Sequence, residues 1–187
     1  EVTEEGIDWG EGVRPAGRDY TPLYDAERHE LAYDFFIHDG GIASRWALEA
    51  KVGDKLVIGG PRGSLVVPED YAWQLYVCDE SGMPALRRRL LGLRQLAVTP
   101  QVTAIVTIAD ASYKDYLADL DGFNIEWVVG HNPAFVAERL AQVKVPAEDY
   151  FIWLTGEGAV VKSLLARFED ESIDQQLVRS QAYWHSK

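Results

Sequence analysis

The hydrophobic pattern changes character at Pro68-Glu69-Asp70, and no other feature restricts the fold as much. From Trp73 onward, short apolar runs alternate with helical stretches. Residues 75–78, 102–108, 125–129, 150–154 and 176–182 read as strands. Residues 85–91 read as a helix. A second helix opens at Asn132-Pro133, with Val136, Leu140 and Val143 as its apolar stripe, and a third runs through Phe168. Asn at an N-cap and Pro in a first turn are helix-start signals, and Pro84 supplies the same signal for residues 85–91. Strands that alternate with helices predict an α/β layer with a mostly parallel sheet.

Before that boundary the pattern is different. Residues 18–24, 31–38 and 55–58 read as strands, the last following a Gly53-Asp54 turn. Residues 42–50 read as a helix, with Ala43, Trp46, Ala47 and Ala50 on one face and Trp46 in the core. Residues 1–17 are acidic and aperiodic and read as loop. The expected fold is an antiparallel β-barrel with only part of its wall visible, followed by a nucleotide-binding-type α/β domain. The expected division is 1–70 and 71–187.

The stretch from 18 to 64 carries the chemistry. Arg18, Tyr20 and Thr21 place a guanidinium, an aromatic ring and a hydroxyl on one extended piece, the last two on opposite sides. Gly40-Gly41 then leads into a helix start, where free N–H groups and the positive dipole end favour phosphate. Gly41 and Ala43 are small enough for a pyrophosphate to approach the backbone. Ser44 adds a hydroxyl, and His38 stands just before the turn. An Arg, an aromatic plate, a hydroxyl and an anion-binding helix end together suit a flavin dinucleotide. Arg62, in the loop from Gly59 to Gly63, faces either phosphate or solvent. In the α/β part, Asp79, Glu80 and Ser81 follow the first strand. Acidic residues there disfavour phosphate and suit hydrogen bonds to a ribose or an amide edge. No G-x-G-x-x-G follows that strand, so no standard NAD-binding signature is present.

The order and spacing of these pieces resemble the FAD-binding segment of the siderophore-interacting protein family, flavin-dependent ferric-chelate reductases of the ferredoxin-reductase-like group. The family pattern R-x-Y-T is matched by Arg18-Asp19-Tyr20-Thr21. H-G-x-x-G-P-A-S-x-W-A is approached by the stretch from His38 to Ala47, and G-D-x-L-x-I-x-G-P-R-G by that from Gly53 to Gly63. Asp79, Glu80, Pro84 and Ala85 match its G-D-E-T-A-L-P-A, Trp153, Gly156 and Glu157 its W-A-A-G-E, and Tyr183-Trp184 its terminal Y-W. The resemblance implies FAD, reduced by NADPH, NADH or a ferredoxin, passing electrons to the Fe(III) of a ferric siderophore or other ferric chelate. It implies that Arg18 holds the pyrophosphate, Tyr20 stacks on the ring and Thr21 bonds near its redox edge. His38, Gly41, Ala43 and Ser44 would surround the diphosphate. Asp79, Glu80 and Ser81 would face the adenosine or nicotinamide. Glu157 either lies near the flavin and nicotinamide or simply favours a helix N-terminus. The tail from Tyr183 to Lys187 would fold back over the flavin or pack plainly.

Three departures stand out. Leu23 replaces a usual Arg, Ile42 replaces a Pro, and about three barrel strands are visible where the family has six. The remaining strands are expected upstream of Glu1. A flavin- or siderophore-binding module without its own reductase activity is the alternative reading.

Other classes fall away. The net charge of −12 opposes nucleic acid and anionic membranes, and it also repels anionic chelates. No apolar run reaches a membrane span. His29, His38, His131 and His185 form no metal-ligand spacing with one another or with Cys78, so no metal site is expected. The single Cys78 fits a reducing, cytoplasmic compartment. No nucleophile motif occurs, and no acid–base catalyst is named because a flavin would carry the redox chemistry. Arg87-Arg88-Arg89 spreads around a helix and reads as a solvated face.

Overall fold

A computed structural model describes residues 16–59 and 66–186, together with the backbone of Val2–Thr3 and Gly6–Ile7. The chain divides into two compact units, Glu1–Val67 and Pro68–Lys187.

In the first unit, β1 (Val2–Thr3) pairs antiparallel with β2 (Gly6–Ile7). A hairpin joins β3 (Pro22–Asp25) to β4 (Glu30–Tyr33), with Leu23 opposite Ala32. Asp25 builds its turn: Oδ1 accepts from the N–H groups of Glu27 and Arg28, both at 3.0 Å. His29 completes the turn at φ +54°. Helix α1 (Ile42–Glu49) follows the Gly40-Gly41 break. The strands expected at 18–24 and 31–38 are therefore shorter, and residues 55–58 form no strand. Among the described residues of this unit Ser44 alone is buried, and Trp46 is half-buried rather than core. Without a sheet to lie in, Leu56, Val57 and Ile58 keep their side chains in solvent.

The second unit is a five-stranded parallel sheet. Its strands are β5 (Trp73–Cys78), β6 (Gln101–Ile108), β7 (Asn124–Val129), β8 (Tyr150–Glu157) and β9 (Val178–Trp184). They lie in the order β7-β6-β5-β8-β9. Helices α2 (Met83–Leu93), α3 (Pro133–Gln142) and α4 (Gly158–Leu165) connect them. A run of 3₁₀ helix at Ala111–Leu120 joins β6 to β7, an element the sequence pattern does not announce. β8 also continues through Glu157, where the sequence suggests a turn.

Side-chain alternation sorts the core. Leu75, Val77, Ile105, Tyr150, Ile152 and Leu154 pack with Val136 and Leu140 of α3 and Val161 and Leu164 of α4. Tyr76, Cys78, Trp153 and Thr155 turn to the other side, where Ala85 and Leu86 of α2 meet them. Each fully buried aliphatic side chain contributes about 1.5–3 kcal/mol, so the sheet is the stable body that carries its loops.

Gln74 is buried in the same strand and is fully served. Tyr76 Oη donates to its Oε1 at 2.5 Å, and its Nε2 donates to the carbonyls of Glu69 and Tyr71. Arg89 closes this network, donating to Tyr76 Oη at 2.9 Å and to the Pro68 carbonyl at 2.6 Å. Arg87 pairs two-pronged with Asp119, at 2.6 and 2.8 Å. The expected solvated arginine face is thus reduced to Arg88. Its neighbours fasten α2 to the rest of the unit, because one residue of helical rotation turns each of them toward a waiting acceptor. Among the described residues no helix is long and apolar enough to cross a membrane, and no His, Cys, Asp and Glu cluster is placed to hold a metal ion.

Candidate functional site

The strand order sets the site of the second unit. From β5 the chain winds outward through β6 and β7, then returns to build β8 and β9 on the other flank. The carboxyl ends of β5 and β8 therefore flank the point where the winding reverses, the place where open α/β sheets bind ligands. Asp79 and Glu80 emerge there from β5, and they turn in opposite directions.

Asp79 turns toward β8 and β9. Its Oδ1 accepts from Ser81 N at 2.9 Å and from Ser81 Oγ at 2.5 Å. Its Oδ2 accepts from Glu157 N at 3.0 Å and from the Trp184 indole at 2.9 Å. Gly156 makes this approach possible. It sits at φ +137°, and a Cβ there would lie 2.7 Å from Oδ2. A register slip between β8 and β9 leaves Tyr183 as an extra residue, since Gly156 faces Ala182 but Glu157 faces Trp184. Burial, with the adjoining Cys78 and Asp79, pushes the Tyr183 phenol up to about 12. The same burial, followed by Asp79 and Glu80, drives the Cys78 thiol well above its ordinary value.

Glu80 turns toward β6 and β7. It is only 6% exposed. Its Oε1 accepts from Ala109 N at 2.5 Å, and both its oxygens lie 2.9 Å from His131 Nε2. Glu157 caps α4 by accepting from Val160 N at 2.9 Å, and its other oxygen accepts from Ser186 N and Oγ. The N–H of Val160, followed by that of Ser186, holds its carboxyl below the usual range. A Cβ on Gly158 would fall on the ring of His185. The end of the chain is thus seated against the start of α4.

The first unit holds the other predicted residues. Tyr20 packs against Phe35 with ring centroids 4.5 Å apart, and Phe35 in turn meets Trp46 at 5.9 Å. Burial raises the Tyr20 phenol despite nearby Arg18. Arg18 is exposed and donates to the Gly17 carbonyl at 2.7 Å. Ser44 accepts from His38 N at 3.2 Å, so its hydroxyl braces the turn. A Cβ on Gly41 would come within 2.7 Å of Ser44 Oγ and 2.8 Å of the His38 ring. The first turn of α1 has no side-chain cap and no acidic residue. Its free N–H groups, the exposed Arg18 and the half-buried Tyr20 suit an FAD pyrophosphate and ring. Thr21 is half-buried and Ala43 lies in the first turn of α1.

The structure therefore groups Asp79, Ser81 and Glu157 around one carboxylate, with Glu80 beside them. It groups Tyr20 with Phe35, and His38, Gly41 and Ser44 with one another. Gly60, Pro61, Arg62, Gly63, Ser64 and Lys187 lie outside the described residues, as does most of the stretch read as an N-terminal loop. Sequence reasoning missed His131, Ala109 and Ser186. His131 stands just before the Asn132-Pro133 helix start and could have been flagged by that place alone.

A family model described as siderophore-interacting protein matches residues 71–187, and one described as siderophore-interacting FAD-binding domain matches residues 1–65. The chain is 68% identical over 186 residues to the NADPH-dependent ferric-chelate reductase of Escherichia coli (strain K12), covering 100% of this chain and 73% of that one. It is 27% identical over 155 residues to a ferric vibriobactin reductase of Vibrio cholerae, spanning 79% of this chain and 56% of that one. Among solved structures, a siderophore utilization protein from T. fusca superposes with a TM-score of 0.74 at 30% identity, over 90% of this chain and 66% of that one. A ferredoxin-NADP+ reductase from Plasmodium falciparum shares the fold, with a TM-score of 0.69 at 16% identity, over 88% of this chain and 76% of that one.

Proposed function

Because the chain belongs to the siderophore-interacting protein family, we propose that it is an NADPH-dependent ferric-chelate reductase. It carries electrons from NADPH through bound FAD to the Fe(III) of a siderophore or other ferric chelate, and iron leaves as Fe(II). The observation that carries this reading is the 68% identity to a reductase of that activity across the whole of this chain. We take residues 1–70 as the flavin-binding part, a portion of an antiparallel barrel wall, and residues 71–187 as the nicotinamide-nucleotide part. A cytoplasmic setting suits the free thiol of Cys78.

Bound FAD supplies the conversion between a hydride donor and one-electron acceptors. The protein's own residues bind and orient. Arg18 holds pyrophosphate, the first-turn N–H groups of α1 at Ala43 and Ser44 share that charge, and Gly41, its own N–H turned to the His38 carbonyl, leaves room for the phosphate to approach. The Tyr20 ring, backed by Phe35 at 4.5 Å, gives the isoalloxazine a fixed plate. Thr21 bonds to the polar edge of that ring system, and His38 closes the diphosphate end. Asp79, Glu80, Ser81 and Glu157 shape the floor for the nucleotide at the reversal of winding. Electron transfer to iron needs no proton donor from the protein. The weaker hold of oxygen-rich chelates on Fe(II) then releases the metal.

The test begins with the visible spectrum of the purified protein after addition of FAD. Anaerobic NADPH is then added, followed by a ferric chelate and a colorimetric Fe(II) trap. Flavin bands that bleach with NADPH and return as Fe(II) accumulates are expected. Flavin that binds but never bleaches would instead identify a binding module without reductase activity.

A further inference from the structure

β7 ends at Val129, and the chain turns sharply at Gly130, which sits at φ +91° and donates to the Ile108 carbonyl at 2.7 Å. That turn lays His131 against the end of β6. Buried Glu80 then fixes the ring, since both its oxygens lie 2.9 Å from Nε2 and its Oε1 also accepts from Ala109 N. The His131 side chain is 49% exposed, and Nδ1 has no protein partner among the described residues. One edge of the imidazole is locked to the sheet, and the other is offered to solvent.

A dinucleotide lying across a sheet wound in this way sets its adenosine ribose beside the end of the second strand. Here the second strand is β6, and Ala109-Asp110 follow it. Asp110 is exposed, and its bonds from Ser112 hold its carboxyl below the usual range. A carboxylate in that place accepts from a ribose 2′-hydroxyl and repels a 2′-phosphate. Asp110 alone would therefore select NADH. A chain that uses NADPH needs an opposing donor close by. His131 stands there, tied through one carboxylate to the residue next to Asp110. Arg87, on α2, is committed to Asp119.

Building on the reading of residues 71–187 as the nucleotide part, we propose that His131 is the residue that admits the adenosine 2′-phosphate of NADPH. Nδ1–H donates to the phosphate while Nε2–H donates to Glu80, which is the doubly protonated, cationic form of the ring. Asp110 opposes it, so cofactor preference is a balance between these two side chains.

Binding of 2′-phospho-AMP and of AMP to the FAD-loaded chain, measured by calorimetry, tests this directly. The same measurements are made on His131→Gln, which can still donate to Glu80 but carries no charge, and on His131→Arg. Wild type is expected to prefer 2′-phospho-AMP. His131→Gln should lose roughly ten- to a hundredfold in affinity for it, the loss of one charge-assisted bond, with AMP unchanged. His131→Arg should restore the preference, and Asp110→Asn should strengthen it. A His131→Gln protein that melts like wild type yet keeps its preference overturns the assignment. If wild type binds neither nucleotide and oxidises no NADPH, the nucleotide reading of residues 71–187 falls, and the role of His131 with it.

Discussion

The indole nitrogen of Trp184 lies 2.9 Å from Oδ2 of Asp79, so the end of β9 is fastened to the end of β5 across the strand that separates them. The same carboxylate serves Ser81 and Glu157. Removing it strands several donors at once, whereas removing the indole N–H loses one bond. Asp79→Ala is expected to cost about 1–3 kcal/mol, and Trp184→Phe less than about 1 kcal/mol. Urea denaturation followed by far-ultraviolet circular dichroism measures both. Equal costs for the two variants would mean that Asp79 is not the junction described.

Glu157 makes a second prediction, in acid. Hydrogen bonds from Val160 and Ser186 depress its folded pKa. Its contribution to stability is therefore fully present above the unfolded carboxyl value of about 4.3 and is lost as pH falls through the lower folded value. Glu157→Gln keeps an acceptor for the α4 cap but cannot titrate. Its stability should fall less steeply than that of wild type below about pH 4. Parallel curves through that range would remove Glu157 from the account of acid sensitivity.

In alkali the tyrosines report instead. Burial raises Tyr76 to about 12 against the pull of Arg89, and it raises Tyr183 to about 12 as well. Each neutral phenol is favoured in the folded chain. Its contribution is complete below the unfolded value near 10 and is lost as pH rises through the folded one. Tyrosinate absorbance should show a late step near 12 that shrinks in Tyr76→Phe and again in Tyr183→Phe. A titration complete by about pH 11 would place both rings in solvent.

The α/β layer was legible because its inner strands β5, β6 and β8 are rich in buried apolar residues, and Asn132-Pro133 and Pro84 mark helix starts unambiguously. The register of the site was not. Asp79 and Glu80 are adjacent and chemically alike, and no periodicity says that one turns to β8 and the other to β6. His131 escaped notice because its partner lies 51 residues away in sequence. The run of 3₁₀ helix at Ala111–Leu120 buries only Leu117 and Leu120, too sparse a stripe to read. In the first unit the strand expected at 18–24 is confined to Pro22–Asp25, where β4 pairs with it, and residues 55–58 have no strand partner among the described residues. A short apolar stretch becomes a strand only where a neighbouring strand accepts it.

The winding of the parallel sheet also has a bearing on synthesis. β5 is its central strand and the first to leave the ribosome. The pairing that covers its second edge, Trp73 with Tyr150, lies 77 residues downstream. At ordinary rates of translation that interval lasts on the order of 4 to 15 s. Through that time the most apolar strand of the unit has an open edge. Gln74, held by Arg89 and by the carbonyls of Glu69 and Tyr71, needs only residues made within the first few of those seconds. Every partner of the buried Gln74 is therefore synthesised while the nascent strand still waits for β8, so this network can settle around the strand in the interval when a sticky edge is most dangerous.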